Sequence, residues 1–174
     1  MRIVGLDLSL TATGVAVWAD GALSLLTLEP PHPGGMERLE WVLGQVKELC
    51  RGAELVVIEG LSFGSNMPSA QERAGLWWMV ARALWKANIR MQAVAPTAAK
   101  KFVTGRGSAE KSLILREVFR HWNIVAADDN QADAAVLARI GLVLAGVTQP
   151  ENQAQREVIS ALLNGRAKKP RRAA

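Results

Sequence analysis

Hydrophobic positions along the chain follow two different repeats, and the change from one to the other predicts the order of secondary structure. Short segments that are rich in β-branched residues, or that alternate between apolar and polar, predict strands. Segments with apolar residues every three or four positions predict amphipathic helices. The predicted strands are residues 2–8, 13–19, 22–28, 55–58 and 89–95. The predicted helices are residues 36–51, 69–88, 96–103, 108–122, 128–145 and 151–163.

The order of these elements predicts how the strands pair. Asp20 and Gly21 form a two-residue hairpin signal between the second and third strands. Residues 55–58 are a short, wholly apolar run, which is typical of a buried parallel strand. Three meandering strands followed by two strand–helix crossovers predict an α/β fold. We expect a mixed five-stranded sheet, with three antiparallel meander strands plus two parallel strands, flanked by helices.

The composition limits the class of protein. A chain of 174 residues fits one domain. With 49% hydrophobic and 21% charged residues, it is typical of a soluble globular protein rather than a disordered one. Asp7 lies where a signal peptide would be apolar, and Cys50 as the one cysteine excludes an internal disulfide or a cysteine zinc site. We therefore expect a cytoplasmic protein without a membrane span.

Positive charge is concentrated at the C-terminus. The formal net charge is +5, and residues 165–174 contain five basic residues and no acid, so the rest of the chain is neutral. We expect a folded domain at residues 1–164 and a basic, disordered tail at 165–174, which either binds a polyanion or is merely solvated. A second basic cluster lies inside the domain, and its members are Lys100, Lys101, Arg106, Lys111 and Arg116.

Two carboxylates stand at the ends of apolar strands. Asp7 closes the first strand and Glu59 closes the fourth. A charged side chain in such a strand is costly unless it is paired or bound to a cation. The carboxyl ends of parallel strands form the functional edge of an open α/β sheet, so the two acids are expected to lie close together there. Either acid alone is more simply a strand-end carboxylate with a backbone or lysine partner, whereas together they favour a metal site.

The segment DDNQADA at residues 128–134 supplies further carboxylates at the start of a helix. The spacing of Asp128 and Gln131 predicts a capping box with Asp128 as N-cap. Asp129 and Asp133 are then one helical turn apart on the same face, where like charges repel unless a cation lies between them. Carboxylate oxygens without a nearby histidine suit Mg²⁺ or Mn²⁺ rather than zinc. Two such ions activate water and stabilise the leaving oxygen in phosphodiester cleavage.

Four blocks in this order resemble the RuvC-type Holliday junction resolvases of the RNase H-like superfamily. The blocks are IVGLDLS at 3–9 with TGVA at 13–16, VIEG at 57–60, APTAAKKFVTGRGSAEK at 95–111, and DDNQADA at 128–134. The third block is the most specific, and the resemblance covers residues 1–145. The sequences EGLSFG at 59–64 and DDNQADA at 128–134 are more similar to the phage-encoded branch of the family.

The resemblance implies a homodimeric endonuclease for DNA recombination and repair, in a bacterial or phage-infected cell. It implies two Mg²⁺ ions per active site, with Mn²⁺ as a substitute, and paired symmetric nicks in four-way DNA junctions. Three of the family's acids fall on Asp7, Glu59 and Asp133. The bacterial pattern places its third ligand at Asn130, so we assign that role to Asp129, with Asp128 in reserve.

The resemblance also implies positions that contact DNA. Lys100 and Lys111 match basic positions of the family, and Lys101 and Arg106 lie beside them. Phe63 stands one place from the position of an apolar residue that enters the junction in similar proteins. Because these motifs are phage-like, a nuclease of broader specificity for branched or flap DNA is an alternative. A non-catalytic protein that binds DNA junctions is the alternative from another class, since it would keep the lysines without needing clustered acids.

Overall fold

A mixed sheet forms the centre of the computed structural model, which describes residues 1–61 and 68–167. Its strand order is β3-β2-β1-β4-β5. Strands β1, β2 and β3 pair antiparallel, whereas β4 pairs parallel with both β1 and β5. The strands are β1 Arg2–Asp7, β2 Thr13–Ala19, β3 Ala22–Leu28, β4 Leu55–Glu59 and β5 Arg90–Val94. The predicted fold class is confirmed, including the three-strand meander and the two parallel additions.

Six helices in the described part of the chain cover the two faces of this sheet. They are α1 Gly35–Leu49, α2 Pro68–Lys86, α3 Pro96–Thr104, α4 Lys111–Trp122, α5 Asp129–Leu144 and α6 Gln153–Ala167. α6 continues three residues past the domain boundary that we predicted at residue 164. None of the helices in the described ranges is long and apolar enough to cross a membrane.

One predicted helix start is wrong. The sequence predicts a helix from residue 108, where serine is a favoured capping residue, but α4 begins at Lys111, and Glu110 takes the cap position without a side-chain cap hydrogen bond. Ala109 explains the difference, because its side chain is buried in the core and the chain remains non-helical there. Burial of one small residue therefore overrides the local capping preference of serine.

Alternation along the strands divides the core into two layers. Ile3, Leu55 and Val57 face a core that includes residues of α3, α4, α5 and α6. Val4 and Val56, one position further along, face a core that includes residues of α1 and α2. Successive side chains on a strand point to opposite faces, so both layers follow from the apolar runs of β1 and β4. α5 belongs to the layer that contains Ile3 and Val57.

α5 lies in direct backbone contact with the sheet. A Cβ atom added to Gly5 would stand 2.2 Å from the carbonyl oxygen of Ala134, and one added to Gly14 would stand 2.0 Å from the carbonyl oxygen of Asn130. Real Cβ atoms do not come so close, so only glycine fits at these two positions of β1 and β2. Ala134 and Ala138 of α5 are fully buried in the same contact. The helix that carries Asp133 is thereby pressed onto the strand that carries Asp7.

Candidate active site

Asp7 and Glu59 lie side by side at one edge of the sheet. β1 and β4 are parallel neighbours, and their last paired residues are Leu6 and Ile58, directly before the two acids. Asp7 lies on the same face of β1 as Gly5, which touches α5. Glu59 lies on the same face of β4 as Val57, which also packs towards α5. Both carboxylates therefore belong to the α5 side of the sheet.

α5 adds Asp133 to this pair. The contact of Gly5 with Ala134 places the first turns of α5 over the end of β1. Asp133, one residue before Ala134, is close enough to raise the pKa of both Asp7 and Glu59. Three of the four predicted acids are thus brought together by two parallel strands and one close-packed helix.

The three carboxylates are half-buried and close enough to repel one another. Burial, followed by the charges of Glu59 and Asp133, raises the pKa of Asp7 from its ordinary value of 3.8 to about 7. Burial and the charge of Asp133 raise the pKa of Glu59 from 4.5 to about 7. Burial also raises the pKa of Asp133 from 3.8 to about 6. Each group is costly to ionise without a cation, which is the environment expected of a metal-binding or catalytic site.

Asp129 differs from the other three acids because it already has a cationic partner. It forms an ion pair and a hydrogen bond with Lys111, the first residue of α4. That hydrogen bond holds the pKa of Asp129 below its usual range. In the part of the chain that the structure describes, no three histidine, cysteine or carboxylate side chains have the geometry of a preformed metal site.

Asp128 is confirmed as the N-cap of α5. Its Oδ1 accepts a hydrogen bond of 2.8 Å from the backbone N–H of Gln131, and the side-chain oxygen of Gln131 accepts one of 3.0 Å from the N–H of Ala127. The first bond confirms the N-cap, whereas the second reaches Ala127, one residue before the N-cap, and not the N–H of Asp128 as the predicted capping box requires. Because Asp128 is used in this way, Asp129 is the acid in this segment that is placed next to the other carboxylates.

Thr27 on β3 is a site-positioning residue that the sequence did not reveal. Its hydroxyl donates a 2.6 Å hydrogen bond to Oδ2 of Asp128 and accepts one of 3.2 Å from the amide of Gln131. The first turn of α5 is thereby fixed to the sheet. Thr27 is 101 residues from Asp128 along the chain, so no local spacing could have identified it.

The predicted basic residues separate into two groups. Lys100 lowers the pKa of Glu59 and Asp133, and Lys111 lowers that of Asp7, Glu59 and Asp133, so both face the carboxylates. Lys101, next to Lys100 on α3, instead forms a 2.7 Å ion pair with Glu157 of α6. Arg106 is exposed in the turn between α3 and α4.

Two residues of α2 act on Glu59, and neither effect was expected. Arg73 lowers the pKa of Glu59 by its charge, and the indole N–H of Trp77 donates a 2.9 Å hydrogen bond to the Glu59 carbonyl oxygen. An arginine in the first turns of the helix after β4 was a possible signal for the charge effect. Phe63, the predicted apolar residue at the junction, lies outside the described residues.

A family model for the crossover junction endodeoxyribonuclease RuvC matches residues 3–141. The matched range begins in β1, ends in α5, and contains all four candidate acids together with Lys100 and Lys111. The chain belongs to the RuvC family.

Individual relatives agree with the family match. The crossover junction endodeoxyribonuclease RuvC of Koribacter versatilis is 28% identical over 149 residues, which are 79% of this chain and 90% of the relative. The structure of Thermus thermophilus RuvC matches with a TM-score of 0.65 and 22% identity, over 85% of this chain and 98% of that chain. T. thermophilus RuvC in complex with Holliday junction substrate matches with a TM-score of 0.66 and 23% identity, over 79% of this chain and 90% of that chain. The chain therefore has the RuvC fold within the RNase H-like superfamily.

Proposed function

We propose that this RuvC-family protein is a Mg²⁺-dependent endonuclease that resolves four-way DNA junctions by paired, symmetric nicks. The observation that carries the proposal is the half-buried group of Asp7, Glu59 and Asp133 at the contact between the sheet and α5, bordered by Lys100 and Lys111. A protein that only binds DNA has no use for three carboxylates whose ionisation is disfavoured. The relatives named for this reaction support the same conclusion.

The carboxylates fit a divalent cation better than any other ligand. They are hard oxygen donors, and each of the three with a raised pKa becomes more stable as an anion if a cation lies beside it. We assign Asp7, Glu59, Asp129 and Asp133 as the residues that would hold two Mg²⁺ ions. When bound, such ions lower the pKa of an attacking water and neutralise charge on the departing oxygen.

The chain's own contribution is to place the DNA backbone and to shape the site. Lys100 and Lys111 provide ammonium groups beside the carboxylates, where a phosphate diester would otherwise be repelled. Arg106 and the basic residues near the C-terminus are assigned to the flanking backbone. Such contacts do not depend on base sequence and weaken as salt increases. Removal of residues 168–174 is therefore expected to lower DNA affinity and to flatten its salt dependence, and unchanged binding would show that this segment is passive.

Paired nicks require two copies of the site, and the exposed face of α2 suits contact with a second copy. Trp78 and Trp85 lie seven residues apart on that helix, and their exposed fractions are 65% and 76%. Large aromatic side chains are enriched in protein interfaces and costly to leave in water. We propose that a second copy covers them, so that a two-fold axis relates two active sites. We expect this activity in the cytoplasm of a bacterial or phage-infected cell, in line with the RuvC of Koribacter versatilis.

A cleavage assay with matched substrates tests the proposal. Four-way junction, flap, fork and duplex DNA of the same sequence are incubated with the protein and Mg²⁺, and the product strands are mapped. We expect symmetric nicks in the junction, which are lost in Asp7→Asn while junction affinity is retained. Equal cleavage of flaps would replace the proposal with a nuclease of broader specificity. Binding without cleavage by the wild type would identify a non-catalytic junction-binding protein.

A further inference from the structure

Lys111 makes a direct ion pair with one of the four candidate metal ligands. Its ammonium group contacts the carboxylate of Asp129, and its charge also acts on Asp133 and Asp7. Among the residues that the structure describes, Lys111 is the one cation that is ion-paired with any of the four acids. The positive charge of Lys111 therefore already occupies part of the region where a divalent ion would bind.

We infer that Lys111 is an internal counterion that competes with divalent metal for Asp129 and moves to a DNA phosphate when substrate binds. DNA binding would then release Asp129 and promote metal loading. This inference deepens the proposed function and rests on it for the identity of the anion. It assigns to Lys111 a coupling role in addition to any contact with the substrate.

The side chain of Lys111 is suited to such a transfer. It is 69% exposed, whereas that of Asp129 is 33% exposed, so the ammonium group can turn away while the carboxylate stays in place. Lysine is a compact charge on a flexible four-carbon stem, which allows it to exchange partners. Asp129 itself is held in position, because the neighbouring Asp128 caps α5 and is bonded to Thr27 on the sheet. Exchange thus needs movement of one side chain only.

Charge balance supplies the coupling. One ammonium group cannot neutralise Asp129 and a phosphate at the same time, so whatever draws Lys111 away leaves Asp129 without its cation. By thermodynamic linkage, DNA then increases metal affinity by the same factor as metal increases DNA affinity. Partly exposed ion pairs have interaction energies that correspond to about 1.5- to 5-fold in a binding constant. The expected coupling from Lys111 is of that size.

The first test measures Mn²⁺ binding to the free protein, by calorimetry or by electron paramagnetic resonance, without DNA. Lys111→Met should tighten Mn²⁺ binding about two- to fivefold, and Lys111→Arg should remain near wild type because it keeps the charge. Lys100→Met is the matched control, because Lys100 acts on Glu59 and Asp133 without an ion pair to any of the four acids in the described chain. Equal gains in both methionine variants would show only a general field effect and would overturn the inference, as would an unchanged or weaker affinity in Lys111→Met.

The second test repeats the Mn²⁺ titration with a four-way junction whose linkages around the exchange point resist hydrolysis, because the wild type is expected to cleave ordinary junction DNA, and a gel checks that the DNA stays intact. We expect junction DNA to tighten Mn²⁺ binding in the wild type, and to do so by a smaller factor in Lys111→Met. The same factor in both proteins would overturn the coupling. The binding data and the cleavage assay test the two proposals separately. If the wild type does not cleave DNA but shows the expected Mn²⁺ binding, the nuclease proposal is refuted and the counterion role of Lys111 stands. If the wild type cleaves DNA but lacks that Mn²⁺ behaviour, the counterion role is refuted and the nuclease proposal stands.

Discussion

Replacing Asp7 by asparagine is expected to stabilise the metal-free protein while it abolishes cleavage. Burial and the neighbouring Glu59 and Asp133 raise the pKa of Asp7 from 3.8 to about 7. This difference is about three pH units, and each unit corresponds to about 1.4 kcal/mol of free energy. Part of the cost is repulsion that also disappears when a neighbour takes up a proton. We therefore expect Asp7→Asn to increase the free energy of unfolding by about 2–4 kcal/mol at neutral to alkaline pH.

The increase in the free energy of unfolding that Asp7→Asn causes must depend on pH in a particular direction. A carboxylate with a raised pKa binds its proton more tightly in the folded protein than in the unfolded chain. The folded state therefore loses stability as pH rises from about 4, near the unfolded pKa, to about 7, the folded pKa of Asp7. Below this window both states are protonated and the substitution should have little effect. The stability difference between Asp7→Asn and wild type should grow through the window and then level off.

Urea unfolding in the presence of a chelator measures this difference across the pH range. Glu40→Gln is a suitable control, because Glu40 is an exposed acid on α1, which packs in the core layer opposite that of α5. When Mg²⁺ replaces the chelator, it should stabilise the wild type more than Asp7→Asn, since a ligand stabilises the state that binds it. A variant no more stable than wild type at about pH 8, or a gain that shrinks as pH rises, would refute the reasoning.

Three further predictions test how α5 is positioned. Gly14→Ala should destabilise the protein by more than about 3 kcal/mol, because the added Cβ would collide with the backbone of α5. Gly44→Ala is the control in thermal unfolding, and it should be neutral or stabilising because Gly44 on α1 has open space around it. Thr27→Val should cost about 1–2 kcal/mol in urea unfolding and weaken Mn²⁺ binding, and Thr27→Ser should restore both. Asp129→Asn should reduce the cleavage rate more than Asp128→Asn, because asparagine at 128 can still cap α5 and loses only the acceptor for the Thr27 hydroxyl, and the reverse order would exchange their roles.

Features that depend on neighbouring residues could be predicted from the sequence alone. Strand alternation and the hairpin signal at Asp20 and Gly21 determined the sheet and its meander, because both act over a few residues. Asp7 and Glu59 could be placed at one edge because the ends of adjacent parallel strands coincide. The N-cap role of Asp128 followed from its spacing to Gln131. The acids of the candidate site were therefore identifiable before any contact between distant segments was known.

Only the tertiary structure decided how these segments meet. The anchoring of Asp128 by Thr27, the ion pair of Lys111 with Asp129, and the engagement of Lys101 by α6 join residues from separate elements. The start of α4 also depended on tertiary burial, in this case of Ala109. Local propensity is a difference of about 1 kcal/mol or less per residue, which burial and long-range hydrogen bonds exceed. Sequence thus specified which groups carry the chemistry, and packing of α5 on the sheet specified their partners.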